Sequence, residues 1–214
     1  MEHGMAQTDQ KLATTNRAVA KERRREQLIH ATIKCIARRG ISTTTLADVT
    51  KEAGLSLGII NLHFQSKDKL LLDTLKYLID EYHLNWRKKL ETSGTSPAEK
   101  LTALIDLDFS KAIADRNKLA VWFAFWGETK SHSTYLKTCA RYDQLFTDTE
   151  AELFQEIIRE GNYNNLDAHV LATTLDALID GLWLDILLLP NEVTRTQAKE
   201  NVMNLLHCIL PGHF

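Results

Sequence analysis

Proline and glycine are scarce in this chain of 214 residues, which has only 3 Pro and 9 Gly. An all-β protein needs frequent turn residues, so this scarcity favours an all-α fold. Long apolar runs are missing too: none reaches the roughly 18 to 20 residues that a membrane span needs. The opening residues, MEHGMAQTDQ, contain no apolar signal core. We therefore expect a cytoplasmic protein that does not enter a membrane.

Cysteine is rare and widely spaced. Cys35, Cys139 and Cys208 fall at apolar positions of predicted helices, which predicts three buried thiols. The sequence has no C-x-x-C pair, no Cys/His cluster and no H-E-x-x-H motif, so no metal site is expected. It also has no P-loop, no G-x-G-x-x-G and no G-x-S-x-G. We expect no cofactor, no catalytic residues and no enzymatic activity.

The formal net charge of −2 hides an asymmetry along the chain. Residues 1–89 contain 16 Lys and Arg against 10 Asp and Glu, whereas residues 90–214 contain 10 against 18. A basic front on an acidic body indicates that only the front meets a polyanion.

The front of the chain has the pattern of a helix-turn-helix. Residues 1–20 are polar and predict a flexible arm, and the apolar period of residues 21–39 predicts a first helix that stops at Gly40. Thr45 and Asp48 form an approximate capping box for a second helix, which ends at Gly54. A tight turn leads to a short third helix, capped by Ser56. We predict a DNA-binding domain over residues 21–66.

The third predicted helix keeps little of its surface for packing. Ile60 and Phe64, spaced i and i+4, share the face expected to pack on the first two helices. The residues left to point outward are Leu57, Gly58, Asn61, Leu62 and His63. Exposed apolar groups have a cost in water but suit thymine methyl groups and sugar edges in a major groove. Taken alone, the segment also fits a small helical hairpin with an ordinary surface histidine.

One stretch resembles the DNA-binding signature of the TetR family of transcriptional repressors: TTTLADVTKEAGLSLGIINLHFQSKDKLL. The positions that match its pattern are Gly54, Ser56, Gly58, His63, Phe64 and Lys67, while Leu62 stands where an aromatic residue is usual. The resemblance implies a double-stranded, pseudo-palindromic operator as partner. It also implies that groups around Thr44, Thr45, Ser56 and Lys67 hold phosphates and that the outward residues of the third helix face base edges.

Residues 67–214 predict a helical ligand-binding and dimerisation domain, entered through a long linking helix over 67–90. The segment LDAHVLATTLDALIDGLWLDILLL is almost wholly apolar, so it has to be covered on all sides. Two final helices packed against their copies would form a four-helix seam between subunits. A homodimer also fits the front, because two short recognition helices read a palindrome. A monomer with these helices as its own core is the alternative.

Two stretches predict a ligand cavity. The candidate residues are Trp122, Phe125 and Trp126 at i, i+3 and i+4, and Asp176, Asp180 and Trp183 at i, i+4 and i+7. Aromatic faces with a carboxylate are what a quaternary ammonium requires, because such a cation has no hydrogen-bond donor. An aromatic stripe of this spacing also occurs in ordinary helical cores, and the spacing alone leaves that alternative open.

The segments WFAFW, YLKTCARY and ALIDGLWLDILL resemble the TetR-family branch of choline-responsive repressors of glycine-betaine synthesis. This resemblance implies a repressor of choline metabolism and osmoprotection that choline, or a related cation, releases from its operator. Two alternatives remain: a TetR-type regulator of lipophilic cations or acyl thioesters, and a helical enzyme or carrier that keeps a basic head.

Overall fold

The computed structural model describes the backbone of residues 2–130 and 132–214, and their side chains except those of residues 2–16 and 141–143. This part of the chain is all-helical, as predicted. Its helices are α1 (Glu2–Arg39), α2 (Leu46–Ala53), α3 (Leu57–Phe64), α4 (Lys67–Thr92), α5 (Pro97–Asp108), α6 (Arg116–Glu128), α7 (Ser133–Gly161), α8 (Ala168–Leu188) and α9 (Arg195–Ile209). Every described helix is too short or too polar to cross a bilayer.

The predicted helix ends in the basic front are confirmed. Gly40 follows α1 with φ 81°, and Gly54 follows α2 with φ 64°, conformations that a side chain would strain. Thr45 is the N-cap of α2 and forms the predicted capping box with Asp48. Ser56 stands at the N-cap of α3, but its hydroxyl makes no capping hydrogen bond there.

The first helix is longer than predicted. α1 extends back to Glu2 through the residues predicted as an arm, where Gly4 is the only glycine and proline is absent. The side chains of residues 2–16 lie outside the described ones, so the arm and the domain limits drawn from it stay predictions.

The chain forms two compact units, residues 1–74 and 75–214. In the first unit, Ile60 and Phe64 of α3 are 1% and 0% exposed, which confirms the inward face predicted for this helix. They are buried together with apolar side chains of α1, α2 and the start of α4: Leu28, Ile29, Ile33, Ile36, Val49, Ala53, Leu70 and Leu71. Burying a large apolar side chain contributes roughly 1.5–3 kcal/mol, so this core fixes how α3 is presented.

The second unit has its core between α5, α7, α8 and α9. The residues that anchor it include Leu101, Leu104, Phe154, Ile157, Leu175, Ile179, Val202 and Leu206. Two of the three thiols are buried as predicted, those of Cys35 in the first unit and Cys139 in the second. Cys208 is exposed, which corrects its prediction. It lies two residues beyond Leu206, and two helical steps turn it away from the buried face of α9.

Candidate functional site

The outward face of α3 is apolar and open to solvent. Leu57 is 51% exposed and Leu62 is 64% exposed, and Gly58 and Asn61 are exposed between them. A Cβ atom placed on Gly58 would meet no atom within 4 Å, so the backbone of α3 is uncovered at this point. The face has the shape and chemistry of a helix that presses into a major groove.

His63 lies at the edge of this face and is half-buried. Burial lowers the pKa of its imidazole, and so do the positive charges of Lys21, Arg24 and Arg25, against a smaller opposing effect of Glu22. The ring is therefore held in its neutral form near a group of basic side chains from α1. Basic side chains beside a recognition helix are the groups that contact phosphates in protein–DNA complexes.

The four residues expected to hold phosphates have different surroundings. Ser56 is exposed, and the Nζ atom of Lys67 donates to the carbonyl of Ser42 at 3.2 Å. The Thr45 hydroxyl accepts from the Asp48 amide within the capping box. Thr44 is 2% exposed and its hydroxyl donates to the Gly40 carbonyl at 2.7 Å. The hydroxyl of Thr44 is thus used inside the fold, so only its backbone remains for a phosphate contact.

Several carboxylates of this first unit are bound to bases. The pairs are Asp48 with Arg39, Glu52 with Lys34 and Arg38, and Asp73 with Arg25 and Lys69. Hydrogen bonds with Thr45 are the main cause of the lowered pKa of Asp48, and the charge of Arg39 adds to them. Arg38 and Lys34 lower the pKa of Glu52. Burial opposes the shift of Asp73, but Lys69 and Arg25 outweigh it and lower that pKa as well. Neutralised acids repel an approaching polyanion less than free ones would.

The second unit contains a cavity of about 320 Å³. Its aromatic lining consists of Tyr82 from α4, Trp122 and Trp126 from α6, Phe146 from α7 and Trp183 from α8. Four carboxyl groups line it too, those of Asp108, Glu150, Asp176 and Asp180. No Lys, Arg or His stands among the described residues of the lining.

Five of the six predicted ligand residues line this cavity: Trp122, Trp126, Asp176, Asp180 and Trp183. Phe125 does not. It is fully buried and packs edge-on against Tyr135, with ring centroids 5.1 Å apart. Trp122 and Trp126 are four residues apart and lie on one side of α6, whereas Phe125 falls on the flank that faces α7.

Hydrogen bonds hold two of the acids, Asp108 and Asp176, in place. The Tyr82 hydroxyl donates to Oδ1 of Asp108 at 2.6 Å, and Nε1 of Trp183 donates to the backbone carbonyl of Asp108 at 3.0 Å. The Thr147 hydroxyl donates to Oδ2 of Asp176 at 2.7 Å. The cavity therefore has ordered polar groups in contact with its aromatic residues.

The buried acids resist ionisation. Burial raises the pKa of Asp108 to about 7; the Tyr82 hydrogen bond opposes this rise, and the charges of Asp176 and Asp180 add to it. Burial also raises the pKa of Glu150 well above its usual value, together with the charges of Asp176 and Asp108 and a hydrogen bond with Asp176. A cation in the cavity would relieve this repulsion.

The sequence interpretation missed Tyr82, Asp108, Phe146 and Glu150, although a signal for the two acids was present. Asp108 comes seven residues after the buried Leu101, and Glu150 comes four residues before the buried Phe154. Each is a carboxyl group on an apolar helix face, a costly arrangement that marks a candidate site.

The arrangement is suited to one kind of ligand, a small organic cation. Aromatic faces attract a cation through the ring quadrupole, and the acids supply the opposite charge. The described residues contain no group of His, Cys, Asp and Glu that could hold a metal ion.

Comparisons with known proteins match both parts of the chain to models of transcriptional regulators. Residues 28–74 match the family model of bacterial regulatory proteins of the tetR family. Residues 97–211 match the model of the C-terminal domain of BetI-type transcriptional repressors. The second match covers more than half of the chain.

Individual relatives extend over nearly the full length. The HTH-type transcriptional regulator BetI of Serratia proteamaculans is 32% identical over 89% of this chain and 94% of its own. A transcriptional regulator of Pseudomonas aeruginosa PAO1 has a TM-score of 0.76 at 27% identity, over 89% of this chain and 92% of its own. A regulator of Saccharomonospora viridis, solved in complex with choline, has a TM-score of 0.73 at 25% identity, over 86% and 95%. The chain therefore belongs to the TetR family, among its BetI-type transcriptional repressors.

Proposed function

We propose that this repressor controls choline and glycine-betaine metabolism and that choline, or a closely related cation, releases it from its operator. The observation that carries the proposal is the cavity lining, which combines five aromatic rings with four carboxyl groups. The Saccharomonospora viridis neighbour, which binds choline, supports the same ligand class.

The size of the cavity favours a small ligand. At about 320 Å³ it lies at the lower end of ligand pockets, which range over roughly 300–1,000 Å³. A compact quaternary ammonium suits this volume better than a long acyl thioester. Each ring in contact with the cation contributes about 0.5–2 kcal/mol, and more where water is excluded. Several such contacts suffice for micromolar binding, which corresponds to about 8 kcal/mol.

Dimerisation accounts for the apolar surface of the last two helices. Val170, Leu184 and Leu188 of α8 are 58%, 38% and 64% exposed, and Leu205 of α9 is 41% exposed. The full coverage predicted for α8 is thus not reached within one chain, and a second copy packed on this surface would supply it. The resulting pair presents two α3 helices to a pseudo-palindromic operator.

Release from DNA follows from the course of α4. This helix carries Lys67 at its start and Tyr82, part of the cavity lining, further along. A ligand that prefers one position of Tyr82 therefore biases the position of α4, and with it the population competent for DNA. A tenfold loss of operator affinity needs only about 1.4 kcal/mol of differential binding.

Two measurements on the full chain test the proposal. Calorimetric titration should show binding of choline and much weaker binding of its uncharged analogue, in which a quaternary carbon replaces the nitrogen. A gel shift with DNA from upstream of the gene should show a specific complex that weakens with salt and dissociates on addition of choline. Binding of an acyl thioester in place of choline would reassign the ligand, and the absence of any specific complex would overturn the repressor itself.

A further inference from the structure

Glu150 holds an unusual position in the cavity. It belongs to α7, is 4% exposed, and its Oε2 atom is buried without a hydrogen-bond partner among the described residues. An unsatisfied carboxylate oxygen in such surroundings is costly. A ligand cation beside it, or a proton upon it, removes that cost.

The charges around Glu150 identify a proton as the occupant of the empty site. Glu150 shares the cavity with three other carboxyl groups, those of Asp108, Asp176 and Asp180. Ionised carboxylates that share one buried site repel each other, and a proton on Glu150 reduces this repulsion. The lining offers no Lys, Arg or His, among its described residues, that would take over this role.

We propose, on the basis of the function proposed above, that Glu150 is the group that neutralises the ligand and that the cation enters in exchange for the proton held by Glu150. In this exchange the O–H bond of the carboxyl group breaks and the proton leaves to solvent. The negative charge that remains faces the ligand, so the net charge of the cavity is unchanged. Binding therefore depends on pH, and the repressor senses the cation and the proton together.

Other titratable groups share the cavity and bear on this exchange. They are Tyr82 from α4, Asp108 from α5, Cys139 from α7 itself, and Asp176 and Asp180 from α8; the α6 side chains, Trp122 and Trp126, do not titrate. His83 packs against Phe146 outside the lining, with ring centroids 6.0 Å apart. The charge of Asp108 adds to that of Asp176 in opposing ionisation of Glu150, which strengthens the hold on the proton.

The sign of the effect follows from linkage. The empty site keeps the proton to a higher pH than the occupied site does, so raising the pH favours the occupied site. At a pH between the Glu150 pKa of the occupied site and that of the empty site, release of one proton lowers the Kd for choline by up to about tenfold per pH unit. A quaternary ammonium has no titrating group, so this slope comes from the protein alone.

Titration of wild-type protein with choline, by calorimetry from about pH 6 to about pH 9, needs no variant. Repeating it in phosphate and in Tris, whose ionisation heats differ, counts the protons released. We expect the Kd to fall as pH rises and about half to one proton to leave per site. Choline binding with a constant Kd and no proton release overturns this inference but leaves the proposed function standing. No choline binding at any pH overturns both.

Variants assign the proton to its residue. Glu150→Gln keeps the size of the side chain and should reduce the pH slope and weaken binding near pH 8 by about tenfold or more. Glu152→Gln, on an exposed position of the same helix, should keep the wild-type slope. A slope that survives Glu150→Gln and disappears in Asp108→Asn would place the proton on Asp108 and overturn the assignment.

Discussion

The two units of this repressor use the same type of side chain in opposite ways. In the DNA-binding unit, Asp73 is bound by Arg25 and Lys69, and its carboxyl has a lowered pKa. In the ligand-binding unit, Asp108 and Glu150 are buried beside other acids, and their carboxyls have raised pKa values. The carboxylate of the first unit is neutralised by bases within the fold. The carboxyl groups of the second unit are neutralised only when a proton or a cation is bound.

The partner proposed for each unit explains this contrast. A surface that approaches phosphates gains when its own acids are neutralised within the fold, because its remaining bases then set the field. A cavity for a cation gains when its acids have no internal partner, because the ligand then relieves a stored repulsion. If the proposed ligand is correct, the second unit gives up some stability when empty and gains binding free energy when the cation enters.

The largest effect we expect is on the stability of the empty protein. Asp108→Asn should raise the free energy of unfolding near pH 8 by up to about 4 kcal/mol, because it removes a carboxyl that is costly to ionise in the fold. The pKa of Asp108 is about 7 in the fold against a reference of 3.8, so the folded protein holds the proton more tightly. Its contribution to stability is complete below the reference value and is lost as pH rises to about 7. Urea unfolding at a series of pH values, at fixed protein concentration, measures this.

The same urea unfolding series can also contradict this prediction. The gain from Asp108→Asn should shrink as the pH falls and vanish near pH 4. The amide still accepts the hydrogen bond from Tyr82, so the local geometry has no reason to change. A variant that is destabilised at every pH would show that the ionised carboxylate stabilises the fold and that the cavity acids are not under repulsion.

The next largest effect concerns operator affinity. Gly58→Trp should lower it by at least about 100-fold, because a large side chain on the outward face of α3 prevents close approach to the groove. The position is open, with no atom within 4 Å of a Cβ placed there, so the variant should fold normally. Fluorescence anisotropy with upstream DNA gives the affinity, and thermal melting checks the fold.

A matched control lies in the other unit. Gly127 of α6 is equally open around its Cβ, so Gly127→Trp adds the same bulk away from the DNA-binding unit. It should leave operator affinity within about twofold of the wild type. If both variants lost operator affinity to the same extent, α3 would not be the recognition helix.

Local chemistry made the front of the chain predictable. Gly40 and Gly54 mark helix ends because they adopt positive φ, and the spacing of Ile60 and Phe64 defines the inward face of α3. The hydroxyl of Thr44 escaped prediction, because the turn after α1 decides that it reaches the Gly40 carbonyl. Periodicity thus supplies the helices and their faces, but not the partners of single polar atoms.

The cavity was predictable only in part, for a related reason. Trp122 and Trp126 were found because they share a face of α6, and Trp183 because it shares a face of α8 with Asp176 and Asp180. Glu150 was missed because a carboxyl on an apolar face means either a buried ion pair or a binding site, and only the packing of α7 against α8 distinguishes them. That contact joins segments distant in sequence, which the spacing within one helix does not reveal.

The opposite sign of effect is expected in the DNA-binding unit. Asp73→Asn should lower the free energy of unfolding at pH 7 by about 2 kcal/mol, since it leaves Arg25 and Lys69 without their shared carboxylate. The pKa of Asp73 is lowered in the fold, so its contribution is present above the reference value of 3.8 and is lost as pH falls through the folded value. Urea unfolding of the wild type and of Asp73→Asn at pH 7 and at pH 3 measures how much of this contribution is lost as the pH falls. If Asp73→Asn stabilised the protein as Asp108→Asn does, the contrast between the units would not hold.

The smallest expected effect separates ligand contacts from ordinary packing. Trp126→Leu should raise the Kd for choline by about 3- to 30-fold, because one cation–π contact of about 0.5–2 kcal/mol is lost. Trp86 is the matched control, since it is 3% exposed, packs against Phe146 and does not line the cavity. Trp86→Phe should lower the melting temperature and leave the Kd within about twofold, because its indole supports the wall without facing the ligand. If Trp126→Leu left the Kd unchanged, the aromatic rings of α6 would be core packing, and the carboxyl groups alone would select the cation.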